Sequence, residues 1–183
     1  MIRGAAIVLN EIADTLSPMD PSRMLEDLYD AHARGVHAWC RGMLGHRDDA
    51  DDAVQAVWLK LARRPEKLGE VSDLGAYLWA TTRHHVYSLL RRRSLERWWT
   101  PPREEEDEPP LSTDSEVSPE ERRDLLRAVR GLAPRFRGVV LLVAFEGCTL
   151  EETAVRLGIP RGTAASRYHT AISKLQQKIG ASR

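Results

Sequence analysis

The stretch Thr149-Leu-Glu-Glu-Thr-Ala-Val-Arg-Leu-Gly-Ile-Pro-Arg-Gly-Thr-Ala-Ala-Ser-Arg-Tyr-His-Thr-Ala-Ile172 holds the punctuation of a helix-turn-helix in the right order. Thr149 can cap a first helix, and Glu152, three positions on, completes a capping box. Gly158 can take the left-handed conformation that stops this helix, Ile159 plugs the angle between the helices, and Pro160 forbids continuation. Gly162 or Thr163 then opens the second helix. Its apolar face runs Ala164, Tyr168, Ala171, Ile172, Leu175 and Ile179. That leaves Ser166, His169, Thr170 and Ser173 on the opposite face, with Ala165 and Arg167 at the borders. A small polar and basic outer face suits the major groove of DNA, because Arg, Ser and Thr can bond to phosphate where bulky acids would be repelled. The plainer alternative is a helical hairpin with no ligand.

Upstream of this segment every apolar pattern is also helical. Leu25, Leu28, Tyr29, His32, Val36, Trp39, Cys40 and Met43 recur at three-and-four spacing, and Gly45 supplies a stop. Ala50, Ala53, Val54, Val57, Trp58 and Leu61 form a second stripe that ends near Pro65. Residues 69–73 read as a loop, and a third helix spans 74–90 through Leu74, Tyr77, Leu78, Thr81, Val86 and Leu89. Leu125, Leu126, Val129 and Leu132 form a further amphipathic stretch, followed by a more buried one over 136–145. Nothing alternates at period two, no fixed-period repeat is present, and no glycine-rich phosphate loop occurs. The fold class is therefore all-α.

Charge divides the 183 residues into parts. The chain as a whole is neutral, but residues 117–183 carry a net charge of plus six and residues 94–116 one of minus six. The acidic stretch contains Pro101-Pro102, the run Glu104 to Glu108, and Pro109-Pro110, a mixture that cannot bury a face and reads as an extended linker. The expected organisation is an N-terminal extension at 1–20, a helical domain at 21–96, the linker at 97–116 and a basic helical domain at 117–183. Met1 to Leu9 is too short to span a membrane and lacks a cleavage site, so neither export signal nor anchor is read. Cys40 and Cys148 each sit in an apolar helical pattern and read as buried reduced thiols, which fits the cytoplasm.

The segment from Gly158 through Arg167 (Gly-Ile-Pro-x-Gly-Thr-x-x-Ser-Arg) resembles the promoter-binding C-terminal domain, region four, of extracytoplasmic-function sigma factors. The run from Asp49 to Leu59 is similar to the polymerase-binding helix of region two in that family. Ala76-Tyr77-Leu78-Trp79 through Arg91-Arg92-Arg93 is similar to its promoter-melting helix with a basic end. The similarity covers about residues 22–178 in the family's order. It implies that Asp51, Asp52 and Gln55 contact core RNA polymerase. It further implies that Trp79, Arg83, His84, Tyr87, Arg91, Arg92 and Arg93 contact the minus-ten promoter DNA. Arg161, Thr163, Ser166, Arg167, His169 and Thr170 would contact the upstream element. Flat rings beside basic groups suit the stacking of unpaired bases while the backbone is held electrostatically. Ala56, His84, Ser88, Ala165 and Thr170 depart from the common pattern at positions that bear on promoter preference rather than on fold or partner.

The expected partners are core RNA polymerase, promoter DNA and an anti-sigma protein, with no membrane contact. No cofactor and no metal are expected, since the adjacent His84 and His85 point in different directions on a helix. An enzyme is disfavoured because the chain has no nucleophile-base pattern and no paired metal-ligand motif. The rival readings are a helix-turn-helix repressor acting without polymerase and a sigma-like protein that binds an anti-sigma factor without DNA.

Overall fold

The computed structural model describes residues 20–96 and 119–180. Apart from Asp20, the expected N-terminal extension and the acidic linker at 97–116 lie outside the described residues. α1 runs Pro21–Leu44: the Asp20 carboxylate accepts a hydrogen bond from the Ser22 amide at 3.0 Å, and proline opens the first turn. Gly45 ends it at φ 84°, the left-handed cap that its sequence position demands. α2 spans Arg47–Ala62 with Asp48 and Asp49 at its positive end. A 3₁₀ turn, Pro65–Glu70, leads to α3, Leu74–Glu96. The sequence predicts an end near Leu90, and the helix continues through the arginines, where no helix breaker stands.

The C-terminal half contains α4 (Pro119–Arg130), α5 (Pro134–Val140), α6 (Leu150–Leu157) and α7 (Arg161–Gly180). The apolar run at 136–145 is not one regular helix, because Leu141–Phe145 winds into a π turn that the Glu146 amide closes on the Leu141 carbonyl, and Gly147 then turns the chain at φ 68°. α6 carries the expected capping box: the Glu152 amide donates to Thr149 Oγ1 at 3.2 Å and the Thr149 amide donates to Glu152 Oε2 at 2.8 Å. Gly158 at φ 55° ends α6. α7 starts at Arg161, slightly earlier than the sequence predicts. All the regular elements among the described residues are helical.

The two halves share one core. Val36, Trp39, Met43, Leu78 and Val86 from the first half belong to the same buried cluster as Val129, Val139, Leu142, Leu157 and Ala171 from the second. Close approach along this seam needs glycine. A Cβ at Gly42 on α1 would come within 2.5 Å of a Leu141 methyl group. One at Gly138 on α5 would sit in ordinary contact with Trp39 at 3.4 Å and the Tyr87 hydroxyl at 3.5 Å. An interior helical glycine costs about 0.5–1 kcal/mol relative to alanine, and here the packing of the halves offsets it. Trp39 Nε1 donates to the Gly138 carbonyl at 3.2 Å. Arg137 donates to the Met43 carbonyl at 2.7 Å and also to the Arg130 and Leu132 carbonyls. It thereby ties the end of α1 to the α4–α5 turn.

Candidate nucleic-acid interface

On α2 the helical period separates two faces. Ala53, Val57 and Leu61 are buried, while Asp51, Asp52, Gln55 and Lys60 are exposed. Asp51 is engaged within the protein: His37 Nε2 lies 2.7 Å away and Arg47 at 3.6 Å. The hydrogen bond from His37 holds its carboxyl below the usual carboxylate range. Asp52 and Gln55 make no hydrogen bond or ion pair within the described residues. One turn beyond Gln55, Leu59 is 47% exposed on the same face. Tyr29 on α1 stands over Trp58 with ring centroids 4.9 Å apart. The sequence reading counted Tyr29 in the apolar stripe of the first helix, where it is 51% exposed, and gave Leu59 no contact role, although a leucine at a helical position facing away from the core was the available signal.

α3 presents two environments. His84, Arg91 and Arg92 are exposed, and Arg93 is partly covered and bonded to Asp49 of α2 at 2.5 Å. His85 faces α2. Burial, followed by the Lys60, Arg92 and His84 charges, lowers its pKa. Trp79, Arg83 and Tyr87 instead face the C-terminal half. Trp79 is 2% exposed, edge-on to Trp39 at 6.0 Å, and the Arg156 guanidinium of α6 lies 5.0 Å above its ring. Tyr87 donates its hydroxyl to the Pro134 carbonyl at 3.3 Å. Burial raises its pKa, and the nearby Arg167, Arg83 and Arg137 charges oppose that rise. A side chain at Gly158 would run into the Arg83 guanidinium. Sequence reasoning placed these three side chains together with core packing as the alternative for Trp79, which is how the structure holds it, and did not foresee the cover of Arg83 and Tyr87.

Arg156 was also missed. Besides stacking on Trp79, it donates to Cys148 Sγ at 2.8 Å. Its charge opposes the burial that raises the Glu146 carboxyl, and it adds to the burial that lowers His32. Both cysteines are free and buried, and burial pushes the Cys40 thiol up to about 12.

On α7, Ala164, Ala171 and Leu175 are buried, whereas Ser166, His169, Thr170 and Ser173 are exposed and Thr163 and Arg167 are half-buried. Ile179, expected on the apolar face, is 39% exposed. Ser166 donates to the Thr163 carbonyl at 3.1 Å and Thr170 to the Ser166 carbonyl at 2.8 Å. Their hydroxyl protons are thus used within the helix, and their lone pairs face outward as acceptors. Arg161 pairs with Glu151 at 3.1 Å, both side chains being well exposed. Such a pair is weak and open to exchange with a phosphate. Among the described residues no three metal-ligating side chains are grouped, and no helix is long and apolar enough to cross a membrane.

Comparison with known proteins places these elements. Residues 28–96 match Sigma-70 region 2 and residues 128–177 match Sigma-70, region 4. The chain is 28% identical to the ECF RNA polymerase sigma factor SigL of Mycobacterium tuberculosis, over 87% of this chain and 93% of the relative. It is 31% identical to the RNA polymerase sigma-E factor of Streptomyces coelicolor, over 72% of each chain. Its fold resembles that of the sigma factor RpoE, crystallised with the anti-sigma factor NepR from Bartonella quintana. The TM-score is 0.66 at 22% identity, covering 86% of this chain and 98% of that one.

Proposed function

Because this chain belongs to the extracytoplasmic-function group of the sigma-70 family, we propose a division of labour among its helices: α2 holds core RNA polymerase, and α3 and α7 read promoter DNA. As a sigma factor the protein directs DNA-dependent transcription initiation at specific promoters. Asp52, Gln55 and Asp51 supply the polymerase contact, with Leu59 as its apolar neighbour. Trp79, Arg83, His84, Tyr87 and Arg91 to Arg93 take the unwound minus-ten strand, rings stacking on bases and guanidinium groups on phosphates. Arg161, Thr163, Ser166, Arg167, His169 and Thr170 enter the major groove at the upstream element.

The division into residues 21–96 and 117–183 follows the same reading, with the acidic stretch between them as tether. The protein works without chemistry of its own, in the cytoplasm. Like the neighbour crystallised with NepR, it takes an anti-sigma partner.

The observation that carries the polymerase assignment is the outer face of α2. There Asp52 and Gln55 are exposed, have no partner within the described residues, and lie beside an exposed Leu59. Acceptors left free next to apolar surface are what a basic partner surface desolvates on docking. The test is co-purification of core polymerase with the full chain carrying Asp52→Lys and Gln55→Ala. We expect loss of polymerase with an unchanged circular dichroism spectrum. Retained polymerase would contradict the assignment.

A further inference from the structure

Of the three residues proposed for the polymerase contact, Asp52 and Gln55 have no partner within the described residues, whereas Asp51 is engaged at both carboxylate oxygens. His37 reaches across from α1 to place Nε2 2.7 Å from Oδ1, and Arg47, one turn earlier on α2, lies 3.6 Å from Oδ2. The His37 contact has the length of a charge-assisted hydrogen bond. It is not what holds the two helices together. Val36 and Cys40 beside it on α1, and Ala50, Ala53 and Val57 on α2, are buried in the core. The His37 and Asp51 side chains are 40% and 46% exposed, and a pair so exposed adds little to stability. Its consequence lies in what Asp51 can offer a partner. A carboxylate has about four acceptor positions, so a second donor can still reach it. The hydrogen bond from His37 is nevertheless the main cause of its lowered pKa, with the charges of His37, Arg47 and Arg41 adding to that effect and burial opposing it. Those positive groups, two from α1 and one from its own helix, stand where an incoming cation would approach.

We infer that His37 sets the strength of polymerase binding by holding Asp51 in an intramolecular bond that docking has to exchange. Asp52 and Gln55 are available at once, and Asp51 adds its full contact only as the imidazole gives it up. The inference rests on the reading of α2 given under Proposed function. His37 touches no partner in this account and acts through Asp51, as a neutral N–H donor or as a cation when protonated. Removing it leaves the carboxylate in place and takes away its nearest competitor, so the affinity for a basic partner surface rises.

The experiment is a double-mutant cycle on full chains, read as the dissociation constant for purified core RNA polymerase at one fixed salt concentration. It compares wild type with His37→Ala, His37→Gln, Asp51→Asn and the His37→Ala, Asp51→Asn double variant, with urea midpoints measured alongside. We expect His37→Ala to bind polymerase about two- to fivefold more tightly with an unchanged urea midpoint. His37→Gln, whose amide can still donate to Asp51, should restore the wild-type affinity. Asp51→Asn should bind more weakly than wild type, and adding His37→Ala to it should change nothing further. Three results overturn the inference. Unchanged or weaker binding by His37→Ala means that the bond does not compete with polymerase. A gain that persists beside Asp51→Asn means that His37 acts through another group. A gain equal in His37→Ala and His37→Gln means that the hydrogen bond is not the cause. Failure of the α2 reading itself looks different, because the Asp52→Lys, Gln55→Ala chain would then also bind polymerase as wild type does.

Discussion

The outer face of α2 and the inner face of α3 are built from the same half of the chain, and they differ in what their polar groups are doing. On α2, Asp52 and Gln55 stand in solvent and make no hydrogen bond or ion pair within the described residues. On α3, Trp79 and Tyr87 are packed into a core assembled across nearly the whole sequence, with Trp39 bonded to a carbonyl 99 positions away. The face proposed for polymerase is open, whereas Trp79 and Tyr87, proposed for DNA, lie against the C-terminal half.

The sharpest way to break this contrast is at Trp39, which is fully buried between the halves. Trp39→Ala is expected to lower unfolding free energy by about 3–5 kcal/mol, measured by urea denaturation. Substitutions at Asp52 and Gln55 are expected to stay within about 0.5 kcal/mol of wild type. Equal destabilisation at both places would erase the distinction between open and covered faces.

A smaller effect is expected at Thr149, whose capping box holds α6 and, through it, Arg156 against Trp79. Thr149→Ala should cost about 1 kcal/mol and raise hydrogen exchange in both α6 and the middle of α3. Faster exchange confined to α6 would mean that α6 does not secure the seam.

The smallest effects belong to the exposed pair Arg161 and Glu151. Arg161→Ala should weaken binding to upstream promoter sequences almost uniformly and reduce the salt slope by about one contact. Glu151→Gln should act in the opposite sense by releasing Arg161 to phosphate. Ser166→Ala should instead change which sequence is preferred, because under the proposed docking of α7 its outward acceptor would meet base edges. If Arg161→Ala alters preference while Ser166→Ala lowers all sequences equally, α7 is oriented differently in the groove.

Local rules carried the reading of the sequence a long way. Thr149 with Glu152, Gly158 and Pro160 each act within one helical turn, so the helix-turn-helix could be written down residue by residue and is found with its capping box and left-handed stop in place. The all-α class followed from spacing alone. The outward faces of α2 and α7 followed too, since burial of one stripe fixes the other. The seam was not legible, because contacts between residues about a hundred positions apart leave no period in either partner. Its one trace is Gly35 and Gly42, two turns apart inside a long helix with no local reason for glycine. The π turn at 141–145 was hidden for a different reason: its five residues, Leu-Leu-Val-Ala-Phe, are apolar enough to satisfy any helical pattern. Arg156 escaped because its role comes from Trp79, which lies on another element.

The most direct test of the account is a map of transcription start sites on genomic DNA, made in vitro by purified core RNA polymerase with and without the full chain. A discrete set of start sites is expected that appears only when the protein is present and disappears with the Asp52→Lys, Gln55→Ala variant. No start site beyond those of core polymerase alone, or an identical set with the variant, would contradict it.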